Sequence, residues 1–495
     1  MTTPFAVGAF PQRVRQHKPV TTAAIRFATR SAPLALLAAI VAAGFAGVGG
    51  NAVRYAFTAA AFLAGLVYYF AAPRAYLGYS LGMWFFNPML RRMVDMHLGY
   101  TDVNVMSLAP LLVSGIAIVA VLRYLPALIR RSRAPFFLMG AALLYGLGLG
   151  LFTIGVQAAM YTFATWVIPL LFGMSIVLRW REYPELRDDV LLVMPWMVLA
   201  TGLYGVFQWI HPFSWDVAWM LASRMSSIGL PLPYQVRVFS TLNAPGPFGA
   251  CIGAGLLALL ARRSRLALLA GPVGAVAFLL SLNRTAWIAC VLAAIAYACS
   301  LRGRARVRLA IAGGTLVLAV AGLLIIVPLA PEGKATDTIT MRFNTLTDLS
   351  NDRSLNAREA NFPFFVDAII RKPLGHGLGS TGTGTALGSQ AREEGVHDFD
   401  NGILETFYSL GWFAGTCWWL GVLLLFARNI LPASPPGDQF ASAARAVALF
   451  CIAAAPSTNP FVTVSGTLLW LFLGLSSASR DYVTAPFGGQ YRHGD

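Results

Sequence analysis

The sequence predicts an all-α protein that crosses a membrane many times, and three observations carry that prediction. Of 495 residues, 57% are hydrophobic and only 12% charged, with a mean hydropathy of +0.65. A soluble domain carries about twice that charged fraction. The apolar residues also come in long runs, such as 190–210, 309–327 and 403–426, and about 20 helical residues cross a hydrocarbon core of roughly 30 Å. Backbone amides meet no water in that core, so each run must close its own hydrogen bonds as a helix.

Taken in order, the expected spans are 33–50, 52–72, 75–90, 105–123, 135–155, 159–178, 190–210, 246–261, 266–281, 285–300, 309–328, 403–426, 443–457 and 461–479. They amount to about 12–14 transmembrane helices. A basic tail at 1–32, carrying Arg13, Arg15, Lys18, Arg26 and Arg30, precedes the first span and shows no cleavable signal pattern. The first bundle of spans covers 33–328, a long polar loop 329–402, the closing spans 403–480, and a short tail 481–495. No internal repeat or low-complexity tract interrupts this order.

A net charge of +16 and a pI near 10.0 would suit a nucleic-acid binder. Position argues against that partner, because the densest basic stretches, Arg123–Arg133, Arg262–Arg265 and Leu301–Arg308, are short loops between spans. Such loops mark the cytoplasmic side. With about 24 of the 37 Lys and Arg on the N-terminal side, the N-terminus is expected inside. Arg91-Arg92 breaks the pattern, yet an interfacial helix at 75–90 would put the basic loops outside, so a span is expected there. The five cysteines all lie in apolar runs, and no disulfide framework, metal site or cofactor site is expected from the spacing.

This topology brings 211–245, the tight connection Ser281–Thr285 and the loop 330–401 to one outer face, where their ionisable groups can share a site. Within the loop, 356–372 reads as an amphipathic helix with Phe362, Phe365, Val366, Ile369 and Ile370 as its apolar stripe. Pro373-Leu374-Gly375-His376-Gly377-Leu378-Gly379 then breaks it in a glycine turn, with His376 as turn architecture. Gly375–Gly384 lacks the Lys-Ser/Thr ending of a phosphate loop. Two Trp-rich stretches, Trp209–Trp219 and Trp412–Trp419, read as interfacial belts.

Five residues could carry chemistry. Arg284 sits between two spans joined by almost no loop, where a guanidinium either snorkels to lipid phosphate or grips a diphosphate in bidentate fashion. Arg237 precedes Asn243-Ala244-Pro245-Gly246-Pro247, which suits either an irregular re-entry at a cavity or a capped helix start. Arg358 opens the loop helix, free for a ligand or paired with Glu359 or Asp352. Asp400 and His397 are candidate bases: a carboxylate desolvated at the membrane surface becomes a better proton acceptor, and an imidazole is matched to neutral pH without help. Asp400-Asn401-Gly402 also reads as an N-cap for the helix that follows.

These motifs resemble the bacterial O-antigen ligase and O-antigen/exopolysaccharide polymerase superfamily, from about Val236 to Trp412. Arg237 with Asn243-Ala244-Pro245-Gly246 is similar to its Arg followed by an Asn-Pro turn. Asn283-Arg284-Thr285-Ala286 is similar to its Ser-Arg element, and Arg358 with the glycine turn to the Arg-to-glycine section of its large periplasmic loop. Asp400-Asn401-Gly402-Ile403-Leu404-Glu405, with Leu410-Gly411-Trp412, resembles its His-Asn-x-x-Leu element. The chain departs from the family in having Asp400 at the His position and Asn283 at the Ser position.

The resemblance implies a type C glycosyltransferase-like fold in the bacterial inner membrane, with the active site facing the periplasm. It implies metal-independent inverting transfer from an undecaprenyl-diphosphate-linked glycan. Arg284 and Arg358, with Arg237, would hold the diphosphate, and Asp400 or His397 would take the acceptor's proton. Membrane lipids and other polysaccharide export or chain-length proteins are the further partners. The reading leans to a polymerase of O-antigen or exopolysaccharide repeat units over a ligase acting on lipid A-core. A lipid-linked glycan flippase is the rival of another class, although flippases usually place ionisable groups near mid-membrane in repeated halves.

Overall fold

A computed structural model describes residues 20–130, 134–261, 264–301, 303, 306–307, 313–314, 353–388, 401–430 and 438–485. Of the expected span 309–328 only 313–314 are described, and about half of the polar loop 329–402 lies outside the described residues. Elsewhere each apolar run is a helix. In chain order these are α1 (Val20–Phe45), α2 (Ala52–Ala71), α3 (Pro73–Leu98), α4 (Ala109–Gly115), α5 (Ile118–Arg130), α6 (Ala134–Thr153), α7 (Val156–Leu178) and α8 (Tyr183–Ile210). They continue with α9 (Ser214–Ser223), α10 (Pro245–Leu259), α11 (Arg265–Leu280), α12 (Arg284–Ser300), α13 (Arg353–Arg371), α14 (Gly402–Ile430), α15 (Gln439–Ala453) and α16 (Thr463–Thr484).

Among the described residues, six stretches are long and apolar enough to cross a membrane: Ala52–Ala71, Val105–Pro126, Ala134–Thr153, Val156–Leu178, Trp180–Ile210 and Gly402–Asn429. Ser31–Phe45, α10, α11, α12 and α15 are apolar but shorter. The expected span 105–123 is one such stretch, although the helix breaks between α4 and α5 at Ile116 and Ala117. The expected span 190–210 begins earlier, at Tyr183, because Pro184 suits a first helical turn and the acidic Glu185 there complements the helix dipole.

The packing sets which ends meet. α16 lies against both α7 and α15, α14 against α6, α11 against α8, and α12 against α15. At the α7–α16 crossing a methyl group on Gly173 would come within 2.4 Å of the Trp470 carbonyl oxygen, so the two backbones touch. Small residues at such crossings replace the hydrophobic drive that lipid removes.

Arg91 and Arg92 lie on α3, which runs past the expected end of its span to Leu98 and is not among the stretches long and apolar enough to cross a membrane. Both side chains are buried. Arg91 pairs with Asp95 at 3.0 Å, and Arg54 of α2 reaches the same carboxylate at 2.9 Å. The Arg91 guanidinium lies 5.1 Å from the ring of Trp219 and 5.8 Å from that of Tyr100. Arg92 turns instead to Asp216 of α9, at 3.0 Å. Charges that break the loop pattern are here neutralised inside the protein.

The loop helix appears as α13, close to its expected limits. Its apolar stripe is split. Phe365, Ala368 and Ile369 pack on Leu404, Phe407 and Tyr408 of α14, whereas Phe362 and Ile370 are exposed.

Candidate functional site

Two connections far apart in sequence are bonded to one another. The irregular stretch between α9 and α10 donates Val238 N to the Leu280 carbonyl at 3.1 Å, and Arg237 Nη2 to the Leu282 carbonyl at 3.1 Å. Asn283 Nδ2 in turn donates to the Pro245 carbonyl at 3.4 Å. Asn283 also caps α12, its Oδ1 accepting from Ala286 N at 3.2 Å. This makes Arg284 the first residue of α12, half-buried, and places the Arg237 guanidinium on the peptide two residues before it. The two connections that carry Arg237 and Arg284 are thus bonded together. Of the two readings of Arg237, the backbone favours the irregular re-entry: Ser240 and Leu282 both have positive φ, 52° and 51°, and α10 starts at Pro245 with no side-chain cap.

A third connection, between α15 and α16, gathers the rest. Thr285 Oγ1 lies 3.0 Å from Ser457 Oγ, and Gly402 N donates to the Ala455 carbonyl at 2.8 Å. Any side chain at residue 402 would strike the Asn459 Cα and the Thr458 carbonyl oxygen, both 2.7 Å from where a Cβ would stand. Glycine is required there because two backbones touch. Asn401 Oδ1 accepts from Ile403 N and Leu404 N, each at 3.0 Å, so the N-cap read from the sequence belongs to Asn401.

One turn into α14 stands Glu405, only 7% exposed. Thr381 Oγ1 donates to its Oε1 at 3.0 Å, and the Asn459 side chain faces it. The partial positive charge of a helix N-terminus favours a carboxylate in that first turn. Thr381 follows the glycine turn, which is fastened by His376 N to the Tyr408 carbonyl, Gly377 N to the Ser409 carbonyl and Leu378 N to the Gly146 carbonyl, all at 2.9 Å. The His376 ring stacks on Tyr408 at 3.8 Å with 4° between planes. This is the architectural role expected of it.

The electrostatic result is a concentration of positive potential. Helices α10, α12 and α14 all begin at this end, at Pro245, Arg284 and Gly402, and their first residues are linked through Asn283, Thr285, Ser457 and Ala455. A helix start carries about half a positive charge and several N–H groups without an intrahelical partner. With Arg237 and Arg284 added, the arrangement is chemically suited to an anion.

Three expected site residues are not placed. Arg358 lies on α13, whose side chains are described from Phe362 onward, and His397 and Asp400 lie outside the described residues. The helix that carries Arg358 is nevertheless docked beside the first turns of α14, with Trp412 Nε1 donating to the Ile369 carbonyl at 3.1 Å.

Sequence reasoning missed Thr381, Ser457 and Asn459, and quoted Glu405 without giving it a role. Their signal was present in Ser457-Thr458-Asn459-Pro460, a polar run between two apolar spans. The Trp-rich stretches also need correction. Trp209, Trp219 and Trp418 are buried core residues, and Trp412 is exposed. Trp418 packs edge-on to Trp166, Phe461 and Trp470.

Comparison with known families matches residues 266–419 to the model described as O-antigen ligase. A search of curated proteins returned no match. The matched segment begins in α11 and ends in α14, taking in Arg284, Arg358, the glycine turn, His397 and Asp400. Arg237 and the turn 454–462 fall outside it. The match, over about a third of the chain, makes this segment similar to the O-antigen ligase family and supports a broad ligase- or polymerase-type function in a multi-pass membrane protein.

Proposed function

We infer that the protein transfers a glycan from a polyprenyl-diphosphate carrier, undecaprenyl diphosphate being the expected one, to a second lipid-linked glycan, and so polymerises O-antigen or exopolysaccharide repeat units. The observation that carries this reading is the convergence of Arg237, Arg284 and three helix starts on one end of the bundle. In such a reaction the acceptor hydroxyl attacks the anomeric carbon from the side opposite the leaving group, and configuration inverts. The bond from that carbon to the diphosphate oxygen breaks, and its electron pair leaves with the diphosphate. Preorganised positive charge at the departing oxygens is therefore the main demand on the enzyme. Guanidinium groups and helix starts meet it, and Arg358, on α13, is the third cation of this reading.

The acceptor's proton goes to Asp400 or His397, close in sequence to Asn401 and the start of α14. The spans hold the prenyl tail and bring the reacting head to the surface, which supplies proximity. On the same reading this face lies in the periplasm of a bacterium and the chain in its inner membrane.

The test is product formation in membranes supplied with purified undecaprenyl-diphosphate-linked repeat units, comparing the parent with Arg284→Ala, Arg237→Ala, Arg358→Ala, Asp400→Asn and His397→Ala at matched protein levels. Lipid-linked ladders that lengthen with the parent and fall about 100-fold or more with Arg284→Ala are expected. Whichever of the last two variants loses turnover identifies the base. Glycan appearing only on lipid A-core would make the protein a ligase. Unmodified glycan that merely changes sides of the membrane would make it a flippase and end the transferase reading.

A further inference from the structure

Arg92 and Asp216 belong to none of the motifs that resemble the family, and both lie outside the segment that matches it. Their side chains are 0% exposed, with Arg92 Nε 3.0 Å from Asp216 Oδ1. The remaining nitrogens of Arg92 do not serve α3 at all. Nη2 donates to the Ser240 carbonyl at 2.5 Å, Nη1 donates to the Leu242 carbonyl and lies 3.5 Å from Asn243 Oδ1, and the Phe239 ring is 4.9 Å from the guanidinium carbon.

Asp216 is held as closely. Gln208 Nε2 donates to it at 2.7 Å, and the Tyr204 hydroxyl, itself accepting from Trp215 Nε1 at 2.6 Å, lies 2.9 and 3.1 Å from its two oxygens. Burial pushes the Asp216 carboxyl above the usual carboxylate range, and the neighbouring Arg92 pulls it back. The other end of Gln208 returns to the same turn, its Oε1 accepting from Phe239 N at 3.1 Å and Ser240 N at 2.8 Å. Ser240 Oγ donates to the Thr201 carbonyl at 2.6 Å. Side chains from α3 and α8, tied to each other through Asp216 of α9, thus hold the peptide groups of 239–242.

Stability alone does not require a buried ion pair, because apolar packing of the same volume serves it as well or better. What this pair supplies is a fixed backbone. Ser240 is held at positive φ, an arrangement an L-residue keeps only when its surroundings enforce it. The same turn carries Val238 and Arg237, whose bonds to the Leu280 and Leu282 carbonyls meet the connection that leads to Arg284. A displacement of Ser240 is passed on directly to Arg237.

We propose that Arg92 and Asp216 are positioning residues that set the 237–243 turn against the 281–284 turn, and so fix the spacing of the two guanidinium groups that take the donor's diphosphate. The proposal rests on the reading of Arg237 and Arg284 as diphosphate-binding. It carries a specific consequence: the pair governs the preference for a diphosphate over a monophosphate, since one guanidinium suffices for the smaller group but two in register are needed for the larger.

The experiment titrates purified full-length protein in lipid nanodiscs with undecaprenyl diphosphate and, separately, undecaprenyl monophosphate, and records thermal unfolding of each variant. Arg92→Lys keeps the charge and loses the fork. The double variant Arg92→Met, Asp216→Leu removes the charges and keeps the packing, so a folded test remains if the lysine variant fails to fold. Either variant, at a midpoint within a few degrees of the parent, is expected to bind the diphosphate about tenfold more weakly with monophosphate affinity unchanged. Unchanged diphosphate affinity in a folded variant, while Arg284→Ala loses it, overturns the proposal and leaves the donor reading standing. Equal loss of both ligands in step with loss of folded protein makes the pair structural only. A parent that shows no preference for diphosphate, with Arg284→Ala without effect, removes the donor reading and the proposal together.

Discussion

At the turn 237–243, side chains hold a backbone, with Arg92 and Gln208 bonding the peptide groups of 239–242. At the glycine turn 375–379, backbone holds backbone, through 2.9 Å bonds to Tyr408, Ser409 and Gly146. Both segments serve the same end of the bundle, yet they depend on different chemistry. The first rests on charges kept away from water, which are secure only while every partner is present. The second rests on the absence of side chains, and it tolerates changes around it but none within it. The N-terminal side of the site should therefore be sensitive to loss of charge, and the C-terminal side to addition of bulk.

The sharpest way to break that comparison is Asp216→Ala. It leaves the Arg92 guanidinium buried without its counter-ion, and removing one partner of such a pair costs about 3–5 kcal/mol. Thermal unfolding in detergent should show a clear drop, with Asp216→Asn losing less because it keeps acceptors for Tyr204 and Gln208. A stability equal to the parent's would mean the charge contact is not what holds the turn.

Smaller and of the other kind is Gly377→Ala. Gly377 has φ +88°, and a Cβ there would lie 2.5 Å from the Gly150 Cα and nitrogen. Strain and collision together should cost about 2–3 kcal/mol. Gly382→Ala is the matched control, since that glycine also has positive φ (+64°) but nothing within 4 Å, so about 1 kcal/mol of backbone strain is all it should show. Equal effects for the two would remove the argument from close approach.

The smallest effect marks the baseline. Asp367 and Arg371 form a 2.7 Å ion pair on the exposed face of α13, with side chains 55% and 76% accessible. Asp367→Asn should change the unfolding free energy by less than about 0.5 kcal/mol, in contrast to the buried pair of nearly the same separation.

The same contrast explains which parts could be read from the sequence. Membrane helices follow from length and hydropathy alone, and the glycine turn announces itself through Pro373 and its alternating glycines, because each signal is local. Arg284 was legible for the same reason, as a charge where a span begins. Arg92 looked like an exception to the loop-charge pattern because its partner, Asp216, lies on a helix that begins more than a hundred residues later. Glu405 and Asn459 were hidden differently. Each reads as an ordinary polar residue at the end of a span, and only the packing of α14 against the turn 454–462 gives them a common neighbour. Long-range pairs of this kind leave no periodicity to detect.

The Thr381–Glu405 bond, together with the Gly402–Ala455 bond beside it, has a consequence for how the protein can change over time. It ties Thr381 to Glu405, and any length of chain that joins two fixed points makes a ring in the topological sense. Doubling the length of such a ring costs only about 0.6 kcal/mol in closure entropy. Insertions and deletions there are thus cheap, while the cationic end of α12 stays where it is. On the proposed function, a lineage could change its acceptor by changing residues between these anchors other than His397 and Asp400, and leave the diphosphate end untouched.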